Sequence, residues 1–162
     1  MTAPAKGRNV FSWTLEQGPQ EIGRARNEVR KALVSYELPN DLLDDTVLVF
    51  SELVTNAVQH GSGPIEFVVH VLFDRIRLCV ADASPRPLVP VQPGSHDERG
   101  RGLAIVASCS TRWWVCTRHP GKEVWAEFRR PATVLPSWLL AGVPGYTGEG
   151  RDLPTSIFTQ GH

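Results

Sequence analysis

The chain has 162 residues, of which 41% are hydrophobic and 21% charged, with 17 basic and 17 acidic side chains. This length and hydrophobic content suit one globular domain with a single core. The formal net charge is zero and the basic clusters are short pairs such as Arg129-Arg130. Because nucleic-acid phosphates demand a basic surface, the composition argues against nucleic-acid binding. A local pocket for a small charged ligand remains compatible with it.

The cysteines and the N-terminal segment indicate a compartment. Cys79, Cys109 and Cys116 show no CxxC spacing, and they predict buried thiols in a reducing cytoplasm. The first residues contain no apolar region of a signal peptide, and no stretch approaches the roughly 20 apolar residues needed to cross a bilayer. We therefore expect a cytoplasmic protein that does not interact with a membrane.

The predicted elements begin with a polar N-terminal segment, residues 1–9, and a short strand over 10–15. Apolar or small residues at helical spacing then predict an amphipathic helix over 19–36. This stripe consists of Ile22, Ala25, Val29, Leu33 and Tyr36.

A second predicted helix begins after Pro39 and ends at Gly61. Its core-facing stripe consists of Leu43, Val47, Phe50, Val54 and Ala57. Glu52 and Asn56, four residues apart, point roughly opposite to this stripe, yet their neighbours are apolar. Because Glu and Asn are ordinarily solvated on a helix surface, these two residues alone do not distinguish a binding site from an exposed face.

Two hairpins follow, one over 65–82 with its turn at Asp74-Arg75 and one over 113–128 with its turn near Gly121. Between them, residues 83–98 contain four prolines and form a loop of a length that is usually functional or disordered. The loop leads to Gly100-Arg101-Gly102, which opens a third helix. Glycines there either let the backbone approach an anion or serve as a flexible hinge.

Residues 131–162 are rich in proline and glycine and carry an apolar patch over 134–140 that includes Trp138. This segment is either a disordered tail or a docking segment that covers an apolar surface of this domain or of a partner.

Three of these elements resemble the boxes of the GHKL ATPase superfamily. The segment 52–57 (ELVTNA) resembles its N box, 82–87 (DASPRP) its first glycine box, and 100–103 (GRGL) its second. The similarity is strongest to bacterial anti-sigma-factor serine kinases. It implies a two-layer α/β sandwich, the Bergerat fold, with a mostly antiparallel sheet covered by about three helices. The nucleotide-binding kinase domain is then expected over 10–130, between the N-terminal segment 1–9 and the tail 131–162.

The resemblance also implies roles for individual residues and two cofactors, ATP and Mg²⁺. Asn56 would be the Mg²⁺ ligand and Glu52 the general base. Asp82 would accept a hydrogen bond from the adenine amino group, and Ser84 would hold a water near the base. The remaining nucleotide contacts would come from Pro87, Gly100, Arg101, Gly102 and Leu103, with Arg101 supplying positive charge near the phosphates. His60 matches a position that is often His in the family. The interpretation of His60 as a helix C-terminal His that is satisfied locally is supported at least as well.

One departure from the family pattern concerns the second hairpin, where Lys122 and Glu123 follow Gly121 instead of Thr or Ser. Either Glu123 points outward or its carboxylate weakens nucleotide binding. The resemblance thus predicts a protein serine/threonine kinase that phosphorylates an anti-anti-sigma antagonist and binds a sigma factor. The alternative is a non-catalytic module of the same fold that sequesters a partner. The family makes a homodimer compatible with either, and the sequence identifies neither the antagonist nor the sigma factor.

Overall fold

The computed structural model describes residues 10–16, 18–86 and 101–130. The predictions for segment 1–9, for most of the proline-rich loop and for the tail 131–162 lie outside these residues. In the described ranges the chain forms β1 (Val10–Leu15), α1 (Pro19–Val34), α2 (Asn40–His60), β2 (Ile65–Val71), β3 (Arg75–Asp82), α3 (Arg101–Cys109), β4 (Arg112–Thr117) and β5 (Lys122–Arg129).

The strands form one sheet in the order β1-β2-β3-β5-β4, and every neighbouring pair is antiparallel. The two predicted hairpins are therefore confirmed as β2–β3 and β4–β5. The last strand, β5, does not lie at the edge of the sheet but pairs with β3, so that Leu78 lies opposite both Val69 and Ala126. This pairing joins the two hairpins into a continuous sheet.

Strict alternation in β2 separates an inner face of the sheet, which packs on the helices, from an outer face. In β2 the residues Ile65, Phe67, Val69 and Val71 are buried, whereas the residues between them are half-buried. Phe67 meets Phe50 of α2 edge to face, with ring centroids 4.8 Å apart. Burying an aromatic side chain of this kind contributes about 2–3 kcal/mol, so such contacts hold the helices on the sheet.

Helix α2 lies against α1 on one side and α3 on the other. All five residues of its predicted stripe are buried, which confirms that prediction. Val49 and Leu53, outside that stripe, are buried as well. On the side of α2 that carries them, Glu52 and Asn56 are half-buried rather than fully exposed. The three helices and the sheet confirm the predicted two-layer α/β sandwich.

The outer face carries aromatic and charged groups. The indole rings of Trp114 and Trp125 stack at 5.8 Å, and the guanidinium of Arg112 lies over the Trp114 ring. Glu127 accepts hydrogen bonds from Arg77 at 2.6 Å and from Arg112 at 2.9 Å. Burial raises the pKa of the Glu127 carboxyl, but these two arginines outweigh that effect, and the net pKa is lowered. In the described ranges, no helix is long and apolar enough to span a bilayer.

Candidate functional site

The first part of the site is formed where α2 meets the beginning of α3. A Cβ atom added to Gly102 would lie 2.8 Å from Glu52 Oε2 and 3.7 Å from Asn56 Oδ1. Glu52 and Asn56 are therefore in direct reach of the first turn of α3. Leu103 follows with its side chain buried, and Val106 joins α3 to the hydrophobic core. Glycine, which lacks a Cβ atom, leaves room for the Glu52 carboxylate beside this turn.

This arrangement has a definite chemistry. The first turn of α3 presents backbone N–H groups and the positive end of the helix dipole, which favour an anion such as a phosphate. Beside it, Glu52 and Asn56 offer side-chain oxygens, which are the ligands that hard cations prefer. In the described ranges no cluster of three or more His, Cys, Asp or Glu could hold a metal. Oxygens from a bound phosphate and from water could complete the coordination of a cation at these two side chains, an arrangement that Mg²⁺ commonly adopts.

Three of the predicted residues are not described at this part of the site. Pro87 and Gly100 lie outside the described residues, and of Arg101 only the backbone is described, as the first residue of α3. Their predicted contacts to nucleotide stay predictions. His60 is exposed at the end of α2.

The second part of the site surrounds Asp82 at the end of β3. Its carboxylate is buried, and Oδ1 accepts the backbone N–H of Ser84 at 2.8 Å. Ser84 is buried too, and its hydroxyl accepts the backbone N–H of Arg86 at 3.3 Å. These bonds hold the start of the following loop in a tight turn over the carboxylate.

Two glycines crowd Asp82 from other elements. A Cβ on Gly61, at the end of α2, would lie 2.9 Å from Asp82 Cγ. A Cβ on Gly121, in the β4–β5 turn, would lie 1.9 Å from the Asp82 backbone oxygen, and Gly121 has φ +105°. The Asp82 carboxylate is thus placed where α2, β3 and the second hairpin converge.

The sequence analysis missed one partner of Asp82. Lys122 lies opposite Asp82 in the β3–β5 register, and its Nζ donates to Asp82 Oδ1 at 2.9 Å. The two side chains are 10% and 4% exposed, so this is a buried ion pair. Alternation along β5 gave a signal for the inward direction of Lys122, because Val124 belongs to the core. The identity of its partner required the register between β3 and β5.

The same alternation decides the question about Glu123. This carboxylate lies on the outer face, where it accepts a hydrogen bond from Trp125 Nε1 at 3.0 Å. Of the two alternatives drawn from the sequence, the outward orientation is therefore the one observed. Glu123 does not place a negative charge on the inner side of the sheet, where Asp82 lies.

The two parts of the site lie along one helix. At about 1.5 Å per residue, Glu52 and Asn56 are about 6 Å apart along α2, and Glu52 and Gly61 are about 14 Å apart. Gly61 touches Asp82, so one elongated ligand could contact both the buried carboxylate and the first turn of α3. A separate groove of about 800 Å³ lies along β1, β2 and α1, with Trp13, Glu21 and Arg24 in its wall. Glu52, Asn56 and Asp82 do not line that groove.

Comparisons with known proteins concern the fold and the family of the chain. A search of curated protein sequences gave no match. The crystal structure of the RsbU and RsbW domains of Rv1364c from Mycobacterium tuberculosis is similar in fold, with a TM-score of 0.59 and 20% sequence identity. That match covers 78% of this chain and 34% of the other, so the chain spans about a third of that structure's length.

A family model also matches the chain. It describes the histidine kinase-like ATPase domain and matches residues 15–128, which include Glu52, Asn56, Asp82 and Gly102. The match covers both parts of the site and all three sequence boxes. The chain therefore belongs to the histidine kinase-like ATPase domain family.

Proposed function

We propose that this domain is a Mg²⁺-ATP-dependent protein serine/threonine kinase of the anti-sigma-factor type. It phosphorylates an anti-anti-sigma antagonist and sequesters a sigma factor. The observation that carries the proposal is the approach of Glu52 and Asn56 to the first turn of α3, with the buried Asp82 carboxylate beside Gly61 at the end of the same helix α2. An RsbW domain in the similar structure supports the assignment to partner-switching regulation.

In this proposal each residue has one task. Asp82 accepts a hydrogen bond from the amino group of adenine, and the backbone N–H groups in the first turn of α3 bind the phosphates. Asn56 supplies an oxygen to Mg²⁺, which neutralises phosphate charge when it is bound. Glu52 accepts the proton of the substrate hydroxyl as that oxygen bonds to the γ-phosphorus and the bond to the ADP oxygen breaks.

A second candidate is a non-catalytic module that regulates transcription by partner sequestration, with ATP a structural ligand or not bound. The ion pair between Lys122 and Asp82 favours it, since one oxygen of the proposed adenine acceptor is already engaged. The two candidates differ in whether phosphate is transferred and in whether partner binding depends on Glu52.

The test is phosphotransfer from labelled ATP to candidate antagonists that carry Ser or Thr, with ATP binding measured in parallel. Glu52→Gln keeps the shape but cannot accept the proton, so transfer should fall by about two to four orders of magnitude while ATP affinity changes little. Asn56→Ala should weaken Mg²⁺-dependent binding and transfer together. The matched control is Glu28→Gln, which removes an exposed ion pair with Lys31 on α1. It should change neither phosphotransfer nor ATP affinity.

Binding has its own readout. At an ATP concentration 100 times the dissociation constant, linkage stabilises the fold by about 2.7 kcal/mol, and Asp82→Ala should remove most of this gain. A melting temperature that does not respond to millimolar Mg²⁺-ATP would contradict the proposed site. Binding without transfer to any antagonist, together with sigma-factor binding indifferent to Glu52→Gln, would establish the second candidate.

A further inference from the structure

The ion pair between Lys122 and Asp82 creates a buried donor beside a buried acceptor. Asp82 Oδ1 already receives two donors, the Ser84 backbone N–H and Lys122 Nζ. No hydrogen bond to Oδ2 comes from the described residues. Lys122 carries three N–H donors, and one of them is directed at Oδ1. Within the described ranges, the pair therefore has one carboxylate oxygen left to accept a hydrogen bond and ammonium N–H groups left to donate.

Adenine carries the complementary pattern. Its amino group is a donor, and the ring nitrogens on either side of it, N1 and N7, are acceptors. A single N–H from the amino group satisfies Oδ2, while the adjacent ring nitrogen receives an N–H from Lys122. Guanine fits less well, because its N1–H and N2 amino group offer two donors to the one remaining oxygen. An unpaired donor buried in this place is costly.

Charge gives a second, independent argument. A lone buried Asp82 carboxylate would oppose the entry of a nucleotide that already carries several negative charges. With the Lys122 ammonium 2.9 Å away, the pair is neutral, and the cost of burying the carboxylate is offset by its partner. The ion pair is thus compatible with an adenine base against Asp82, and it reduces the repulsion between the carboxylate and the negatively charged nucleotide.

We propose that Lys122 is a specificity-determining residue of the nucleotide site, which donates a hydrogen bond to the ring nitrogen next to the adenine amino group. This inference rests on the proposed nucleotide binding and adds a residue to it. It also reverses the interpretation of the ion pair under the second candidate function, because Lys122 is a partner of the base and not an obstacle to it.

The experiment compares ligands on the same protein, so that any change in folding cancels. Dissociation constants are measured for ATP, 1-deaza-ATP and 7-deaza-ATP, which lack N1 and N7 respectively, and for GTP. Since hydrogen bonds to charged groups are strong, one deaza analogue should bind the unmodified protein about tenfold or more weakly than ATP. In Lys122→Met that difference should disappear, and the preference for ATP over GTP should narrow. Lys122→Arg keeps a charged donor, so it should retain part of the discrimination against the deaza analogue and part of the preference for ATP over GTP.

Lys31→Met is the matched control, because Lys31 is exposed on α1 and pairs with Glu28. It should keep the full discrimination between ATP and the deaza analogue. Equal affinity of the unmodified protein for ATP and both analogues would overturn the inference while leaving nucleotide binding intact. Tighter ATP binding by Lys122→Met would overturn it too, since Lys122 would then obstruct the base. An unmodified protein that binds none of these nucleotides would contradict the proposed function itself.

Discussion

Gly102 and Glu52 are in direct van der Waals proximity: a Cβ atom on residue 102 would lie 2.8 Å from Glu52 Oε2, which is closer than side chains ordinarily approach. The obstructing atom is the end of a flexible side chain, so the carboxylate can move away while the backbone stays in place. Residue 102 thus controls the position of the Glu52 carboxylate without controlling the fold.

Gly102→Ala should therefore separate activity from stability. Alanine favours a helix over glycine by up to about 1 kcal/mol, so the melting temperature should stay the same or rise. Phosphotransfer should fall by about 10²-fold, because a displacement of about 1 Å in a catalytic group has an effect of this size. Gly23→Ala is the control, since a Cβ there meets nothing within 4 Å. It should stabilise α1 similarly and leave transfer unchanged. Full activity of Gly102→Ala would contradict the role given to Glu52.

Gly121→Ala should instead destabilise the fold. Residue 121 has φ +105°, and its Cβ would overlap the Asp82 backbone oxygen at 1.9 Å. We expect a loss of at least about 2 kcal/mol in the free energy of unfolding in urea, together with weaker ATP binding. Gly63→Ala is the comparison, because Gly63 also has a positive φ of +69°, but its Cβ would meet the Ala83 side chain at 3.0 Å and not Asp82. An equal loss in the two variants would show that the contact with Asp82 contributes nothing.

Glu127 should make a pH-dependent contribution to stability. Burial raises the pKa of this carboxyl, but hydrogen bonds from Arg112 and Arg77 lower the pKa by more than burial raises it. The net pKa therefore lies below the ordinary value of 4.5. A pKa lowered by folding stabilises the protein above the unfolded pKa, and this contribution is lost as the pH falls through the folded pKa. Glu127→Gln should thus cost about 2 kcal/mol at pH 7 and progressively less below about pH 4.5.

The comparison for Glu127 is urea unfolding at pH 7 and pH 3 for both proteins. Glu66→Gln is a control on the same outer face, where Glu66 pairs with the exposed Arg118. It should change stability little at either pH, because exposed ion pairs contribute little. A cost of Glu127→Gln that is the same at both pH values would mean that the arginines do not stabilise the ionised form.

The three thiols should differ in reactivity. Burial raises the pKa of Cys79 to about 12, with a smaller contribution in the same direction from Glu123. Since the thiolate is the reactive form, only a fraction of about 10⁻⁴ of Cys79 is reactive at pH 8. Mass spectrometry after brief alkylation of the native protein should find label on the half-buried Cys109 and Cys116 before Cys79. Labelling of Cys79 as fast as that of Cys116 would contradict the burial of Cys79. As a control, all three cysteines should react in guanidinium, where the protein is unfolded.

How much the sequence could predict depended on how local each feature is. The stripe through Phe50 and Val54 and the two hairpins follow from period and alternation, which act within one element. The place of β1 beside β2 and of β5 beside β3 does not, because no short turn joins those strands. The ion pair of Lys122 with Asp82 depends on that long-range register. The glycines before α3 predicted an anion site, but their closeness to Glu52 depends on how α2 and α3 pack.

The insertion of β5 between β3 and β4 has a consequence for biosynthesis. Asp82 acquires its partner only when Lys122, 40 positions later in the chain, has been synthesised and has left the ribosome. Until then β3 is an edge strand with unpaired backbone groups, and such strands can pair with other chains. The part of the proposed nucleotide site around Asp82 is therefore completed only with the strand that carries Lys122.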